Sequence, residues 1–498
     1  MVEAKISTLS FKARQRFGAK VALTVAGGAT LSFEEIDDKA GRIAGALAAR
    51  GIGSGDRVVL HLPNGWQWVA AYHAIARLGA VVVPANILLT SEEVAFIAED
   101  AQATALIVPG ERRDAFGGQS RIFTLGKADG AEEFDALLAG EYRAPVECAS
   151  DDLFTIGYTS GTTGRPKGAT MTHAGLFASL AGTATIHVRT RDDVVLTSLP
   201  FPHVYGNIVL NAAFLAGSRI VTTPRFDAGE SLRLIGQEKA TLFEGVPTMY
   251  YQMLAHPEMA SADLSSLTRC TVGGQTMPIP KIEAVTRRFG CPLLELWGMT
   301  EVAGPAITHS PYWPARPGSI GLPMPGLEVR LADLADPRSA AAHGEAGELM
   351  VRGAMVTKGY WRNDKATAET IDAEGWLSTG DIARADAEGY LYVVDRRKDM
   401  IITAGYNVYP AELEQVITMH PDVVMVAVGG VADDEKGELA QAFVVRRSGS
   451  VLSEDDVVGH CRKHLAAYKV PRRVVFVEDL PRNSTGKIMR RRLGELNA

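Results

Sequence analysis

Tyr158-Thr159-Ser160-Gly161-Thr162-Thr163-Gly164-Arg165-Pro166-Lys167-Gly168 is the stretch on which the reading of this chain turns. It packs three glycines, four Ser/Thr hydroxyls and one lysine into eleven residues. Glycine lets backbone N–H groups approach an anion closely, the hydroxyls donate hydrogen bonds, and Lys167 adds a mobile positive charge. The segment suits a loop wrapped around phosphate. It is not a Walker A loop: counted from Gly161, the second glycine position holds Pro166, and Gly168 stands where a Mg²⁺-binding Ser or Thr should follow the lysine. Pro166 also lacks the N–H a phosphate cradle would use. A solvent-exposed Gly/Thr turn draws on the same residues. The apolar Leu153-Phe-Thr-Ile156 that leads into the run favours a buried strand ending at a phosphate site.

Outward from this loop, the chain alternates short β-rich runs with longer helical patterns. Arg57–Leu62, Ala80–Pro84, Ala105–Val108 and Arg219–Thr222 read as strands, and Trp66–Leu78 reads as a helix. This beat predicts α/β layers around buried parallel strands. Beyond Gly326 the texture changes: Glu328–Leu331, Gly347–Arg352 and Gly389–Val394 read as short antiparallel strands. Asp395-Arg-Arg-Lys-Asp399 is a charged break and a plausible linker. After it, helices at Pro410–His420 and Ser453–Leu465 and strands at Val423–Val428 and Gln441–Val445 predict a compact α+β module. The expected division is a large domain over 1–395, with α/β layers and a β-rich subdomain, and a small domain over 396–498.

The 498 residues exceed what one core supports, and 46% hydrophobic with 22% charged residues is ordinary for a globular protein. A net charge of −7 gives no reason to expect nucleic acid as a partner. The four cysteines are scattered with no CxxC spacing, which argues against a zinc site or a disulfide framework and suits a reducing cytoplasm. No apolar run is long enough to span a bilayer.

Further clusters carry chemistry. Trp297-Gly-Met-Thr-Glu301 follows an apolar run, so Thr300 and Glu301 fall just past the C-terminal end of a strand, where α/β sheets gather ligands. A hydroxyl beside a carboxylate suits a phosphate next to Mg²⁺; a helix start capped by the threonine would look the same. Ser378-Thr-Gly-Asp381 reads as a turn whose aspartate could take ribose hydroxyls. Pro481–Lys487 lies near the C-terminus in a polar setting, and Arg490-Arg491-Arg492 reads as an exposed basic run.

In this order, Tyr158–Gly168, Trp297–Glu301, Ser378–Asp381, Asp395–Asp399 and Pro481–Lys487 resemble the adenylate-forming superfamily, and within it the AMP-forming acyl-CoA synthetases. Leu199-Pro-Phe-Pro-His203, Gly273-Gly274, Gly359-Tyr-Trp361, Gly405–Pro410 and Tyr468–Pro471 agree with it, so the resemblance covers nearly the whole chain. It implies ATP, Mg²⁺ and coenzyme A, and a two-step reaction through an acyl-adenylate. It assigns the β- and γ-phosphates to Thr159, Ser160, Gly161, Thr162, Thr163 and Lys167. Glu301 is implied as the Mg²⁺ ligand, and Thr300 at the α-phosphate. Gly274, Gln275, Glu295, Trp297 and Gly298 are implied around adenine, Asp381 at the ribose, and Arg396 at ribose and phosphates. His203 stands beside the acyl site, and Lys487 is the catalytic lysine brought in by a mobile small domain. A hinge at Lys398 would swing that domain and bring Gly405 to a pantetheine tunnel. One departure stands out: Gln275 occupies a position where a small residue is more usual.

Segments implied to line the acyl pocket, Val204–Val209 and Met299–Gly304, carry no arginine or lysine, and Leu296 stands where malonate-activating relatives tend to carry Arg. A buried second carboxylate would need a cation, so the expected acid is apolar: a medium- or long-chain fatty acid first, an aryl or cyclic acid second, with Ala303 and Gly304 leaving room. Loading of a carrier protein in place of CoA is a further alternative. A non-catalytic relative would be expected to lack Lys487, Glu301 or Asp381, and all three are present. The resemblance also extends to a homodimer and to a protein acetyltransferase acting on Lys487, since Pro-x₄-Gly-Lys is the pattern such enzymes read.

Overall fold

The computed structural model describes residues 5–117, 121–159, 166–403, 406–433, 435–483 and 486–497. Among these, two large sheets, a small antiparallel sheet and a C-terminal sheet carry the chain. In the nine-stranded sheet, Val21–Val25, Arg219–Thr222, Val194–Thr197, Leu242–Gly245, Arg269–Gly273 and Leu293–Met299 run parallel in that spatial order. Antiparallel Gly304–Thr308 and Leu322–Pro323 complete one edge. The seven-stranded sheet is parallel from Ile122–Leu125 through Ala105–Pro109, Arg57–Leu60 and Val81–Pro84 to Leu153–Thr159. It ends in an antiparallel hairpin with Lys167–Thr172. These strands read as continuous Val/Ile/Leu runs because helices cover both faces, and Val58, Val59 and Leu60 have no solvent exposure.

Leu327–Ala332, Gly347–Gly353, Leu377–Ala385 and Leu391–Arg396 form the antiparallel four-stranded sheet. The small C-terminal domain pairs Val423–Asp433 with Gly437–Arg446 as a long ribbon, adds Arg473–Phe476 in parallel, and packs helices Pro410–Ile417 and Glu454–His464 against it. The fold is the mixed α/β architecture expected, with a large N-terminal and a small C-terminal domain.

The structure departs from the sequence reading in several places. Ser378–Asp381 is not a turn but lies inside the strand Leu377–Ala385, where a break in register against Gly347–Gly353 bulges the chain and Gly380 supplies φ +73°. The charged break begins later than Asp395: Asp395 and Arg396 are the last residues of a strand, and only Arg397, Lys398 and Asp399 turn. Arg490 is not solvated. Its guanidinium grips both oxygens of Glu414 at 2.8 and 2.7 Å and lies 3.6 Å from Asp395 and 3.5 Å from Asp399. A run of three arginines gives no hint that one of them turns inward.

Candidate active site

The parallel strands of the nine-stranded sheet end on one side, and the chemistry-bearing residues collect there. Leu293–Met299 runs out into a single 3₁₀ turn, Thr300–Val302, which reverses through Ala303 at φ +58° into the antiparallel Gly304–Thr308. The reversal is tight enough to demand Gly298: a methyl there would overlap the Gly304 carbonyl oxygen and stand 2.9 Å from Pro305 Cα. Thr300 and Glu301 are thereby fixed at the strand's end, as expected. Glu301 is 6% exposed, and its Oε1 accepts the Tyr360 hydroxyl at 3.0 Å. Burial raises the Glu301 carboxyl above its usual range, offset in part by that hydrogen bond and by the charges of Arg396 and Lys487.

Tyr360 also ties in the Gly/Thr-rich hairpin. Thr159 and Lys167 pair as the base of the hairpin, and the Lys167 ammonium lies 5.3 Å from the centre of the Tyr360 ring. One tyrosine therefore holds the loop's lysine and the strand-end carboxylate together. Gly359-Tyr-Trp361 is part of the family resemblance, but no signal in the sequence points to this role for Tyr360. Ser160, Gly161, Thr162 and Thr163, and Gly405 in the C-terminal domain, lie outside the described residues.

Asp381 is held from two sides. Trp297 Nε1–H donates to Oδ2 at 2.7 Å, and Arg396 Nε–H donates to Oδ1 at 2.9 Å from the adjoining strand, where the two residues are cross-strand partners. The Trp297 indole N–H is thus spent on Asp381. Glu295, one turn of the pleat away from Trp297, accepts the Gly318 N–H at 2.7 Å, and burial pushes its carboxyl up to about 8. Burial thereby favours its protonated form, and it braces the loop before Ser319.

His203 caps the helix Val204–Ala216, its Nδ1 accepting the Tyr205 N–H at 3.3 Å, which leaves the proton on Nε2. Burial, with nearby Lys487, drops its pKa to about 3, so the imidazole is neutral. A cavity of about 50 Å³ borders it, with Tyr72, Met171, Leu176, Asn207 and Thr300 among its walls. The room expected at Ala303 and Gly304 is already filled: a methyl on Gly304 would meet Ile208 Cγ1 at 2.9 Å. The small size of Gly304 serves the packing of that helix, and Ala303 is fully buried.

Lys487 comes from the other domain. Its Cε passes 3.0 Å from the point where a Cβ on Gly274 would stand, and Gly274 has φ +93°. Burial, then repulsion from Arg396, lowers the Lys487 amine to about 8 against the pull of Asp381 and Glu301. The structure thus brings Lys487, Gly274, Glu301, Thr300, Asp381 and Arg396 into one region, with His203 and the cavity alongside. Gln275, next to Gly274, hydrogen-bonds the Ile488 backbone. Among the described residues no group of three or more His, Cys, Asp or Glu could hold a metal by itself. A single buried carboxylate whose charge is under-compensated fits Mg²⁺, which binds through one or two carboxylates and the substrate's phosphates.

The AMP-binding enzyme family matches residues 11–361, and the AMP-binding enzyme C-terminal domain matches residues 412–487. The chain belongs to the AMP-binding enzyme family. It is 33% identical to a long-chain-fatty-acid–CoA ligase of Bacillus subtilis (strain 168), covering 96% of this chain and 92% of the other. It is 37% identical to a 2-succinylbenzoate–CoA ligase of Geobacillus kaustophilus (strain HTA426), covering 94% and 93%. Its fold superposes with a TM-score of 0.92 on an anthranilate CoA ligase crystallised with anthranoyl-AMP, at 28% identity over 99% of this chain and 96% of that one.

Proposed function

We propose that this AMP-binding enzyme is an AMP-forming ligase that joins an apolar carboxylic acid to coenzyme A. The observation that carries the reading is the seating of Lys487 from the C-terminal domain against Gly274, within the fields of Glu301, Asp381 and Arg396. The first step brings two anions together, the carboxylate and the α-phosphate of ATP, so preorganised positive charge is what the protein must supply. A carboxylate oxygen bonds to the α-phosphorus, the bond to the β-phosphate breaks, and pyrophosphate leaves. In this reading Lys487 bridges the two reacting anions, Thr300 donates to the α-phosphate, and Lys167 with Thr159 to Thr163 holds the β- and γ-phosphates. Asp381 and Arg396 take the ribose, and Gly274, Glu295, Trp297 and Gly298 border adenine, whereas the Gln275 amide is spent on the Ile488 backbone. Glu301 holds Mg²⁺, which when bound neutralises phosphate charge. The CoA sulfur then bonds to the acyl carbon, and AMP leaves with the carboxylate oxygen.

For the second step the small domain swings about Lys398, in the turn that follows the strand ending at Arg396, and withdraws Lys487. A lysine suits a group that must enter and leave, being a compact charge on a flexible stem. Gly405 would then line the pantetheine path.

The cavity beside Thr300 and His203 is lined by no Lys, Arg, Asp or Glu, which supports an acid with an uncharged body. A medium- or long-chain fatty acid is the first reading. An aryl or cyclic acid is favoured by a separate observation: the cavity is small, and Tyr72 donating to Asn207 at 3.0 Å places a polar pair in its wall. We also place the enzyme in the cytoplasm, as a homodimer testable by sedimentation. An acetyltransferase acting on Lys487 would need the opened domain, because the docked amine is enclosed; enzyme acetylated there and still fully active in adenylation would contradict that regulation. The direct test of the first step is acid-dependent exchange of labelled pyrophosphate into ATP without CoA. Exchange lost in Lys487→Ala supports the reading, and exchange retained in that variant refutes it.

A further inference from the structure

Lys487 lies between two residues whose backbones the large domain grips. Thr248 Oγ1 donates to the Gly486 carbonyl at 3.1 Å. The Gln275 side chain takes both backbone groups of Ile488, its Oε1 accepting the N–H at 3.2 Å and its Nε2 donating to the carbonyl at 3.5 Å. Neither residue needs the Lys487 side chain to do this. The terminal loop is braced internally: Lys487 N–H donates to Asn483 Oδ1 at 2.9 Å, Asn483 N–H to Lys487 O at 2.8 Å, and Arg482 bridges Ile488. The bonds from Gln275 and Thr248 thus hold backbone on either side of Lys487 that these contacts tie to Arg482 and Asn483. Gln275 is also the residue whose size was unexpected beside Gly274. Its amide is long enough to cross to the other domain, which a small side chain is not.

We infer that Gln275, helped by Thr248, is a latch that seats the terminal loop for adenylation and must release it for thioester formation. The inference rests on the proposed role of Lys487. Both are positioning residues: they act through the lysine and set the balance between the half-reactions. One neutral hydrogen bond shifts an equilibrium by roughly two- to tenfold. Gln275→Ala, which removes two, should lower the adenylation rate about fivefold or more relative to the rate of thioester formation from supplied acyl-AMP and CoA. Thr248→Val, close in shape and losing one bond, should lower that ratio about threefold. Gln275→Glu accepts the Ile488 N–H but cannot donate to its carbonyl, and should fall between wild type and Gln275→Ala.

The experiment is single-turnover measurement of both half-reactions in the full-length variants, with KM for ATP and a melting curve for each. The latch is supported if adenylation kcat falls, KM for ATP holds, and the ratio of half-reactions drops in that order. It is overturned if both half-reactions fall together, or if KM for ATP rises while kcat holds, which would make Gln275 a nucleotide contact. Lys487→Ala separates the two ideas. An inactive Lys487→Ala beside an unaltered ratio in Gln275→Ala sinks the latch alone, whereas an active Lys487→Ala sinks the role of the lysine and the latch with it.

Discussion

Replacing Arg490 by alanine should loosen the C-terminal segment that carries Lys487, and by an amount the structure sets. The Arg490 guanidinium joins three pieces of chain: Asp395 and Asp399 at the domain junction, Glu414 on the helix Pro410–Ile417, and the terminal segment itself. The side chains of Glu414 and Asp395 are 14% and 2% exposed, so removing the cation strands two carboxylates away from water. Breaking a buried ion pair from one side costs about 3–5 kcal/mol. Arg490 is itself 23% exposed, which brings the expected cost to about 2–4 kcal/mol. The assay is native-state hydrogen exchange at amides bonded within this unit, such as Met489 to Pro481 and Val428 to Glu414. Their exchange should accelerate roughly 30- to 1,000-fold. Glu414→Gln in the same chain should recover about 1–2 kcal/mol, because no full charge is then stranded on the helix. The deficit should also shrink in acid. Burial already raises the Glu414 carboxyl above its unfolded value, so its penalty is full above the folded pKa and gone below the unfolded one. Exchange within threefold of wild type at neutral pH would refute this reasoning.

Four further outcomes follow from the site. Gly298→Ala places a methyl onto the Gly304 carbonyl, so the paired strands must part at a cost of about 1–3 kcal/mol, read as a lowered melting point with at least tenfold lower adenylation. Asp381→Asn removes the charge paired with Arg396 and should raise KM for ATP roughly 10- to 100-fold with an unchanged circular dichroism spectrum. The pH profile of adenylation kcat/KM should fall on an alkaline limb near 8, where the docked Lys487 amine loses its proton; because that pKa lies below the free value, docking itself should tighten as pH rises from 8 toward about 10, so the limb reports lost charge rather than lost contact. Lys398→Pro, in the turn after Arg396, should slow thioester formation at least tenfold more than adenylation, as rapid-quench of the two steps would show.

The candidate site residues were legible in the sequence, Lys167 from its own surroundings and Thr300, Glu301 and Lys487 only through the ordered resemblance of the motifs around them. Lys167 sits in a Gly/Thr loop, Thr300 and Glu301 follow an apolar strand, and Lys487 follows a glycine. The parallel strands were legible because burial on both faces leaves unbroken apolar runs such as Arg57–Leu60. What escaped are the residues whose role depends on a distant partner. Tyr360 joins Lys167 to Glu301 across three elements, Trp297 spends its N–H on Asp381, and Gln275 holds a backbone 213 residues away. Arg490 looked solvated because only the fold brings Glu414 and Asp395 to it. The strand Val423–Asp433 runs past its expected end at Val428; half-buried Gly429 and exposed Gly430 to Ala432 lack the buried-strand pattern, yet the ladder to Gly437–Arg446 continues.

An acid–CoA ligase of this kind makes AMP only when an acid and CoA are both present. AMP and pyrophosphate release should be followed in parallel over a panel of fatty, aryl and cyclic acids, with ATP and Mg²⁺, with and without CoA. The expected result is AMP release that needs CoA and one acid class, with pyrophosphate in equal amount. Pyrophosphate release with every competent acid but no CoA-dependent AMP would contradict the ligase and turn the account toward loading of a carrier protein.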